Sequence, residues 1–258
     1  MTPLAAILDQ AGVLVFAAAG VFTRVGAALF LVPGFGERVV PVRLRLGAAL
    51  SLALLLLPMV APDLPAAPPL SGLARLIAAE AAAGLIIGLA FRFLVFALQV
   101  AGTLAAQNIS LSQMFGAGVA PDPEPTIATL LGMCGIVLAL MAGLHVHLVA
   151  VLAGLYRVLP FGVMPGAGDG AEWSVARAAE AFGLGLSLAL PFIAIGFAYN
   201  LALGALSRAM PQLLVALVGA PLLIGLGMLV LYVSLPEILA HWSGALHARM
   251  ADPLGGFR

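Results

Sequence analysis

From residue 126 to residue 156 the sequence contains no Asp, Glu, Lys or Arg, and about 20 apolar residues already suffice for a helix to cross the hydrocarbon core of a bilayer. A helix that is apolar on every side must be covered by lipid or by other protein. Comparable runs recur at residues 11–32, 44–60, 73–106, 178–206 and 213–235, so about six long hydrophobic helical segments are expected, some kinked or re-entrant. Hydrophobic residues make up 63% of the chain, charged residues 9%, and the mean hydropathy is +1.18; about a quarter of residues are charged in soluble domains. The fold class expected is therefore an all-α integral membrane protein in contact with lipid, one membrane domain over residues 1–258.

Charge and cysteine usage exclude several functions. The formal net charge is zero, which leaves no basic surface for nucleic acid. All 11 cationic residues are Arg, so no Lys can form a Schiff base or serve a phosphate-binding loop. Cys134 is the sole cysteine, which rules out an intrachain disulfide or a cysteine metal cage and marks it as a small apolar filler. Asp9 without a preceding cation is the wrong start for a cleaved secretory signal, so the N-terminus is expected to stay.

Between the third and fourth segments the chain turns polar and loose. Gln107, Asn108, Ile109, Ser110, Leu111, Ser112 and Gln113 lead into Met114 and Phe115, then Gly116 and Gly118, and Asp122 lies among Pro121, Pro123 and Pro125. Proline stops a helix, and polar backbone at membrane depth requires protein or a wet cavity around it. Residues 107–125 are thus expected to form a loop that lines something. It separates helical segments in 1–106 from those in 126–258, which include a hairpin at 178–235.

Charges inside apolar runs need partners. Arg24 lies in the first segment and Arg75, Glu80 and Arg92 in the third; an Arg at a helix centre costs roughly 2.5 to 3.5 kcal/mol on insertion scales. Arg24, Glu80 and Arg92 fit buried structural pairs or, alternatively, the relay of a polytopic small-solute or ion transporter. Gly84-x-x-x-Gly88 would let a second helix approach closely. The Arg-rich loop with Arg38, Arg43 and Arg45 and the tail with Arg249 and Arg258 both favour the cytoplasm, yet five crossings between them would place them on opposite sides. One segment is then expected not to cross fully, and the region around 107–124 is the natural place.

Signatures of catalysis are lacking. His145 and His147 are two residues apart, so on a helix, at about 100° per residue, they point away from each other and cannot share a metal. Gly166-Ala167-Gly168-Asp169 matches the Gly-x-Gly-Asp string of intramembrane aspartyl proteases, but it follows Pro165 in a hydrophilic connection and no span supplies a second Asp. Ser-His-Asp, His-Glu-x-x-His and phosphate-loop patterns are absent. No enzyme, metal site or cofactor is expected.

Several stretches, in order, resemble the FliR family of flagellar biosynthesis proteins, which includes the corresponding export-gate subunit of virulence type III secretion. They are Pro33 through Glu37-Arg38-Val39-Val40-Pro41-Val42-Arg43-Leu44-Arg45-Leu46-Gly47, then Gly143-Leu144-His145 with Leu159-Pro160-Phe161-Gly162. Last and strongest are Ala189-Leu190-Pro191, Asn200 to Gly204, Arg208, Met210-Pro211-Gln212 and Gly219-Ala220-Pro221-Leu222. The resemblance implies a non-enzymatic subunit of the flagellar type III export gate in the bacterial inner membrane, at the flagellar basal body. It would pack with FliP-like and FliQ-like membrane subunits into a helical shell through which unfolded substrates pass, near other export-apparatus membrane proteins. It also implies that the 107–123 loop plugs the pore, although the family's Gln-Met-Gly string is replaced by Gln107-Asn108-Ile109-Ser110 while Asp122-Pro123 is retained. Met114 and Phe115 suit a soft apolar seal. Arg208, the one formal charge between Glu180 and Glu237, is expected at the cytoplasmic mouth and to serve assembly or gating.

Overall fold

The computed structural model describes residues 3–60, 70–109, 126–209 and 215–257. Among the described residues the regular structure is entirely helical: α1 (Pro3–Leu31), α2 (Val42–Val60), α3 (Leu70–Ile109), α4 (Thr126–Met141), α5 (Leu144–Val158), α6 (Ala167–Ala209) and α7 (Val215–Ala251). Five helices have apolar stretches long enough to cross a membrane, Ala11–Leu31, Val42–Val60, Gly72–Asn108, Ala167–Leu206 and Leu222–Ala251. α4 and α5 are bent by 70° at their junction, so together they form a broken span or a re-entrant one. The bend sits at Gly143, whose φ of 81° is a left-handed conformation that glycine adopts without a Cβ penalty. The bend lies at residues 141–144 and not in the region around 107–124 where an incomplete crossing was expected, of which residues 110–125 are outside the described residues.

α3 has 40 residues, α6 has 43 and α7 has 37. At 1.5 Å per residue α3 alone measures about 60 Å, roughly twice the 30 Å hydrocarbon core. Helices this long reach well beyond the lipid interior or tilt steeply within it.

Three expected boundaries move. The loop expected over 107–125 loses Gln107, Asn108 and Ile109, which form the end of α3. The hydrophilic connection expected over 157–177 shortens to about 159–166, because α6 already begins at Ala167 and takes in Gly168, Asp169, Gly170 and Glu172. Asp169 lies in the first turn, where a carboxylate is favoured by the helix dipole, and the Gly170 N–H donates to Gly166 O at 2.9 Å. Past residue 235, expected as tail, α7 runs on through Pro236 to Ala251. Ile238, Trp242, Leu246 and Met250 are all buried along it. That spacing of four forms one packed stripe, whose burial outweighs the single backbone bond a proline removes.

The chain divides into two compact units. The first contains residues 1–92, 139–177 and 247–258. In it α1 buries Ala17, Val21, Val25, Ala28 and Leu29 along one face. Arg24 meets Glu80, a Cβ on Gly84 would strike Arg24 O, and one on Gly88 would lie 2.7 Å from Leu31 Cβ. The numbers rise together, so α1 and α3 run parallel, and the Gly84-x-x-x-Gly88 pair is where they touch. α2 packs on α1 and also meets α5. It buries only Ala49, Ala53, Leu56 and Val60, while Leu46, Leu50, Leu54, Leu55 and Met59 face outward.

The second unit contains residues 93–138 and 178–246. Its core is the latter half of α3 with α4, α6 and α7: Leu94, Ala97, Leu98, Ala101, Leu131, Leu188, Ala189, Phe192 and Trp242. Small residues bring the backbones close. A Cβ on Gly102 would strike the backbone of Ala128, and one on Gly185 would lie 2.7 Å from Ala97 O. Trp242 is fully buried, and its indole N–H donates to Leu94 O at 2.8 Å, which satisfies the one polar atom a buried Trp carries.

Candidate functional site

The most elaborate polar arrangement among the described residues lies in the first unit, around Arg24 and Glu80. The Arg24 Nε donates to Glu80 Oε2 at 2.7 Å and Nη2 to Oε1 at 3.0 Å, a two-point fork. Nη1 donates to Leu159 O at 3.0 Å and Nη2 also reaches Pro160 O at 3.5 Å. Glu80 Oε1 accepts a further bond, 2.8 Å, from the Gly162 N–H. The Tyr156 ring lies 3.9 Å beneath the guanidinium carbon, within cation–π range. Both charged side chains have 0% exposure.

The local sequence explains why the third participant is the Leu159–Gly162 turn. α5 ends there, with the Leu159 N–H closing its last bond to Leu155 O, so its final carbonyls are open to a cation. Val163 N–H donates to Pro160 O at 3.2 Å, and Gly162 has φ 75°. This is a turn with Gly at its third position, where φ must be positive. The Leu-Pro-x-Gly string thus presents two carbonyls and one N–H to an ion pair 82 to 136 residues away in sequence. Buried charges persist only when paired and hydrogen-bonded, and both conditions are met. With both charged side chains cut off from solvent, the arrangement has the geometry of a clamp and not of a relay that must meet water.

Arg92 is positioned differently. Its Nη1 meets Glu37 Oε1 at 2.6 Å, with side-chain exposures of 20% and 27%. Arg45 bonds Phe35 O at 2.9 Å and Glu37 O at 3.0 Å, and Gly36 N–H bonds Val32 O at 2.8 Å. The proline and Arg-rich loop after α1 is therefore a built turn, with Glu37 as its anchor on α3. Arg38 and Arg43 remain exposed.

The polar stretch begins in the second unit at the last turn of α3. Gln107 is exposed; Asn108 is half-buried, with Nδ2 donating to Leu104 O at 2.8 Å and Oδ1 placed where a Cβ on Gly196 would lie 2.8 Å away. Ile109 closes α3, and α4 starts at Thr126. Ser110, Leu111, Gln113, Met114, Phe115, Gly116, Gly118 and Asp122 lie outside the described residues. Just before Gln107, Phe96, Gln99, Val100, Thr103 and Leu104 of α3 line an open apolar depression of ≈ 390 Å³. Arg208 is exposed in the last turn of α6, where the helix dipole favours a cation. His145 and His147 are both exposed on α5.

Sequence reasoning identified Arg24, Glu80 and Arg92 as charges in need of partners but not which partner each takes. It missed the turn altogether as a ligand of the ion pair. The available signal was Leu159-Pro160-Phe161-Gly162 itself, a string with an orphan carbonyl, a residue lacking N–H and a glycine, directly after an apolar helix.

The profile of the family described as bacterial export proteins, family 1, matches residues 15–248. The chain is 35% identical over 233 residues to the flagellar biosynthetic protein FliR of Caulobacter vibrioides, covering 89% of this chain and 92% of that one. It is 32% identical over 222 residues to FliR of Escherichia coli K12, covering 83% and 82%. To FliR of Bacillus subtilis it is 30% identical over 230 residues, covering 84% and 85%.

Proposed function

We propose a specific role within the flagellar export apparatus, since the chain belongs to the bacterial export proteins, family 1, and is a subunit of that apparatus. The role is that of a non-enzymatic inner-membrane component of the export gate, which forms part of the channel for unfolded substrates. FliP-like and FliQ-like membrane subunits complete the shell, and the basal body is its location. The observation that carries this reading is the match over nearly the whole chain, joined to a polar, glycine-loosened stretch between α3 and α4.

Residues 107–123 act as the plug of the closed pore. Met114 and Phe115 supply an adaptable thioether beside a bulky ring, and a narrow apolar constriction stops ions by dewetting. Gly116 and Gly118 let the stretch yield to a passing chain. Arg208, exposed at the end of α6, faces the cytoplasmic mouth and serves contacts with partners. The apolar faces left outward on α2, α6 and α7, among them Leu50, Leu54, Phe197, Leu201, Leu229 and Val233, suit lipid or partner helices. The pairing of Arg24 with Glu80 and of Arg92 with Glu37 favours this structural role over solute transport through those charges.

The test is one purification in gentle detergent followed by one electrical measurement. The parent should emerge in an assembly much heavier than its own 26.2 kDa, with two smaller hydrophobic partners, and Arg208→Ala should lower their recovery. Deleting residues 110–118 should leave the assembly intact and make membranes conduct small ions. A lone chain that binds a solute sinks the gate reading, and a shortened protein as tight as the parent sinks the plug.

A further inference from the structure

We infer that Arg24 and Glu80 form a receptor for the Leu159–Gly162 turn, and that the seated turn, more than the mutual attraction of the two charges, locks α1, α3 and α5 of the first unit together. This inference is independent of the export reading and holds whatever the assembled protein carries.

The polarity of the contacts is the first support. On the cation's side of the pair the turn presents oxygen: Leu159 O at 3.0 Å and Pro160 O at 3.5 Å from the guanidinium. On the anion's side it presents a donor, the Gly162 N–H at 2.8 Å. An ion pair alone is indifferent to which residue carries which sign, but this site is not. A carboxylate at position 24 would face two carbonyl oxygens, and a guanidinium at position 80 would face an N–H.

The fit of the turn is the second support, and it rests on shape. The Phe161 ring occupies a notch on α1 at Gly20, where a Cβ would lie 2.6 Å from the ring. Gly162 sits against Leu76 of α3, whose Cδ1 would be 3.3 Å from an added Cβ. Tyr156, one turn earlier, covers the guanidinium face. The turn therefore touches α1 and α3 at the level of the charges through both apolar and polar atoms, and each helix contributes one of each. The chain must reach residue 162 before the donors and acceptors of the pair are all satisfied, which makes the turn the late-arriving member of a lock whose other parts lie in residues 20–80.

The experiment uses the full chain in detergent and reads the rate of tryptic cleavage after Arg157, which is exposed in the last turn of α5. Glu80→Gln keeps an oxygen for the Gly162 N–H and Glu80→Met does not, although both remove the charge. Cleavage should be about tenfold faster for Met than for Gln, the factor for one hydrogen bond of about 1.4 kcal/mol. The charge exchange Arg24→Glu with Glu80→Arg should be at least as labile as Glu80→Met. Equal rates for Gln and Met, or an exchanged protein within about threefold of the parent, overturn the inference. If the Glu80 variants do not accumulate, Phe161→Ala and Arg24→Lys decide the matter. A shared lock makes their combination no faster than the faster single variant, whereas rates that multiply show independent contacts and overturn it.

Discussion

The two units hold their helices together by different means. The first places two full charges where no water reaches them and ties three helices through them. The second has Glu180, Arg208 and Glu237 exposed among its described residues, and relies on backbones brought close by Gly102 and Gly185, on Gly135 seated against the Leu98 and Trp242 side chains, and on one buried indole. Charge gives directional contacts that tolerate little change of chemistry, since a lone buried ion is costly. Close packing of small residues tolerates chemistry but not volume, since interiors are filled almost to crystal density. The contrast also suits surroundings that range from lipid to protein, because neither mode relies on a hydrophobic driving force that weakens in an apolar medium.

This contrast can be broken most forcefully at Arg24. Arg24→Leu leaves Glu80 buried without its partner and should lower stability by about 3–5 kcal/mol, seen as a large drop in the thermal unfolding midpoint in detergent. A loss under about 1 kcal/mol would mean that the first unit does not depend on its charges. In the second unit the sensitive change is one of size. Gly102→Ala already pushes its Cβ into the Ala128 backbone and should cost about 1–3 kcal/mol, read in the same melt, and Gly102→Leu should cost at least as much. A Gly102→Ala protein as stable as the parent would remove the packing explanation. The smallest effect belongs to the half-exposed pair on the first unit's rim: Arg92→Gln should change stability by about 0–1 kcal/mol. That difference should shrink further between low and high salt, since exposed charges are screened over about 10 Å at 0.1 M. An effect as large as that at Arg24 would place Arg92 inside the same lock.

Much of the architecture could be read from local patterns. Apolar runs fixed by composition became helices at the expected places, and Gly84-x-x-x-Gly88 did admit a second backbone. The interruption at Gly143 was not legible, because it is one of 30 glycines and nothing local distinguishes a glycine that bends a span from one that packs within it. The continuation of α7 beyond residue 235 was missed for a similar reason. Pro236 and the polar residues after it suggest an ending, whereas Ile238, Trp242 and Leu246 are drawn into helix by what they pack on. The polar stretch of residues 107–125 was evident from residue types alone, but α3 takes its first three residues and ends at Ile109, while α4 begins at Thr126.

What the sequence determined by itself was the need: an all-helical membrane chain with Arg24, Glu80 and Arg92 set in apolar runs that cannot keep bare charges. Only the tertiary structure decided how each need is met. Glu80 is 56 residues from Arg24, and Leu159 is 135 residues from it, while Arg92 passes over Glu80 on its own helix for Glu37 across a turn. Hydrogen-bond capacity is a property of each residue and can be counted along a chain. Which donor reaches which acceptor depends on helices brought side by side in parallel, and no local periodicity specifies that register.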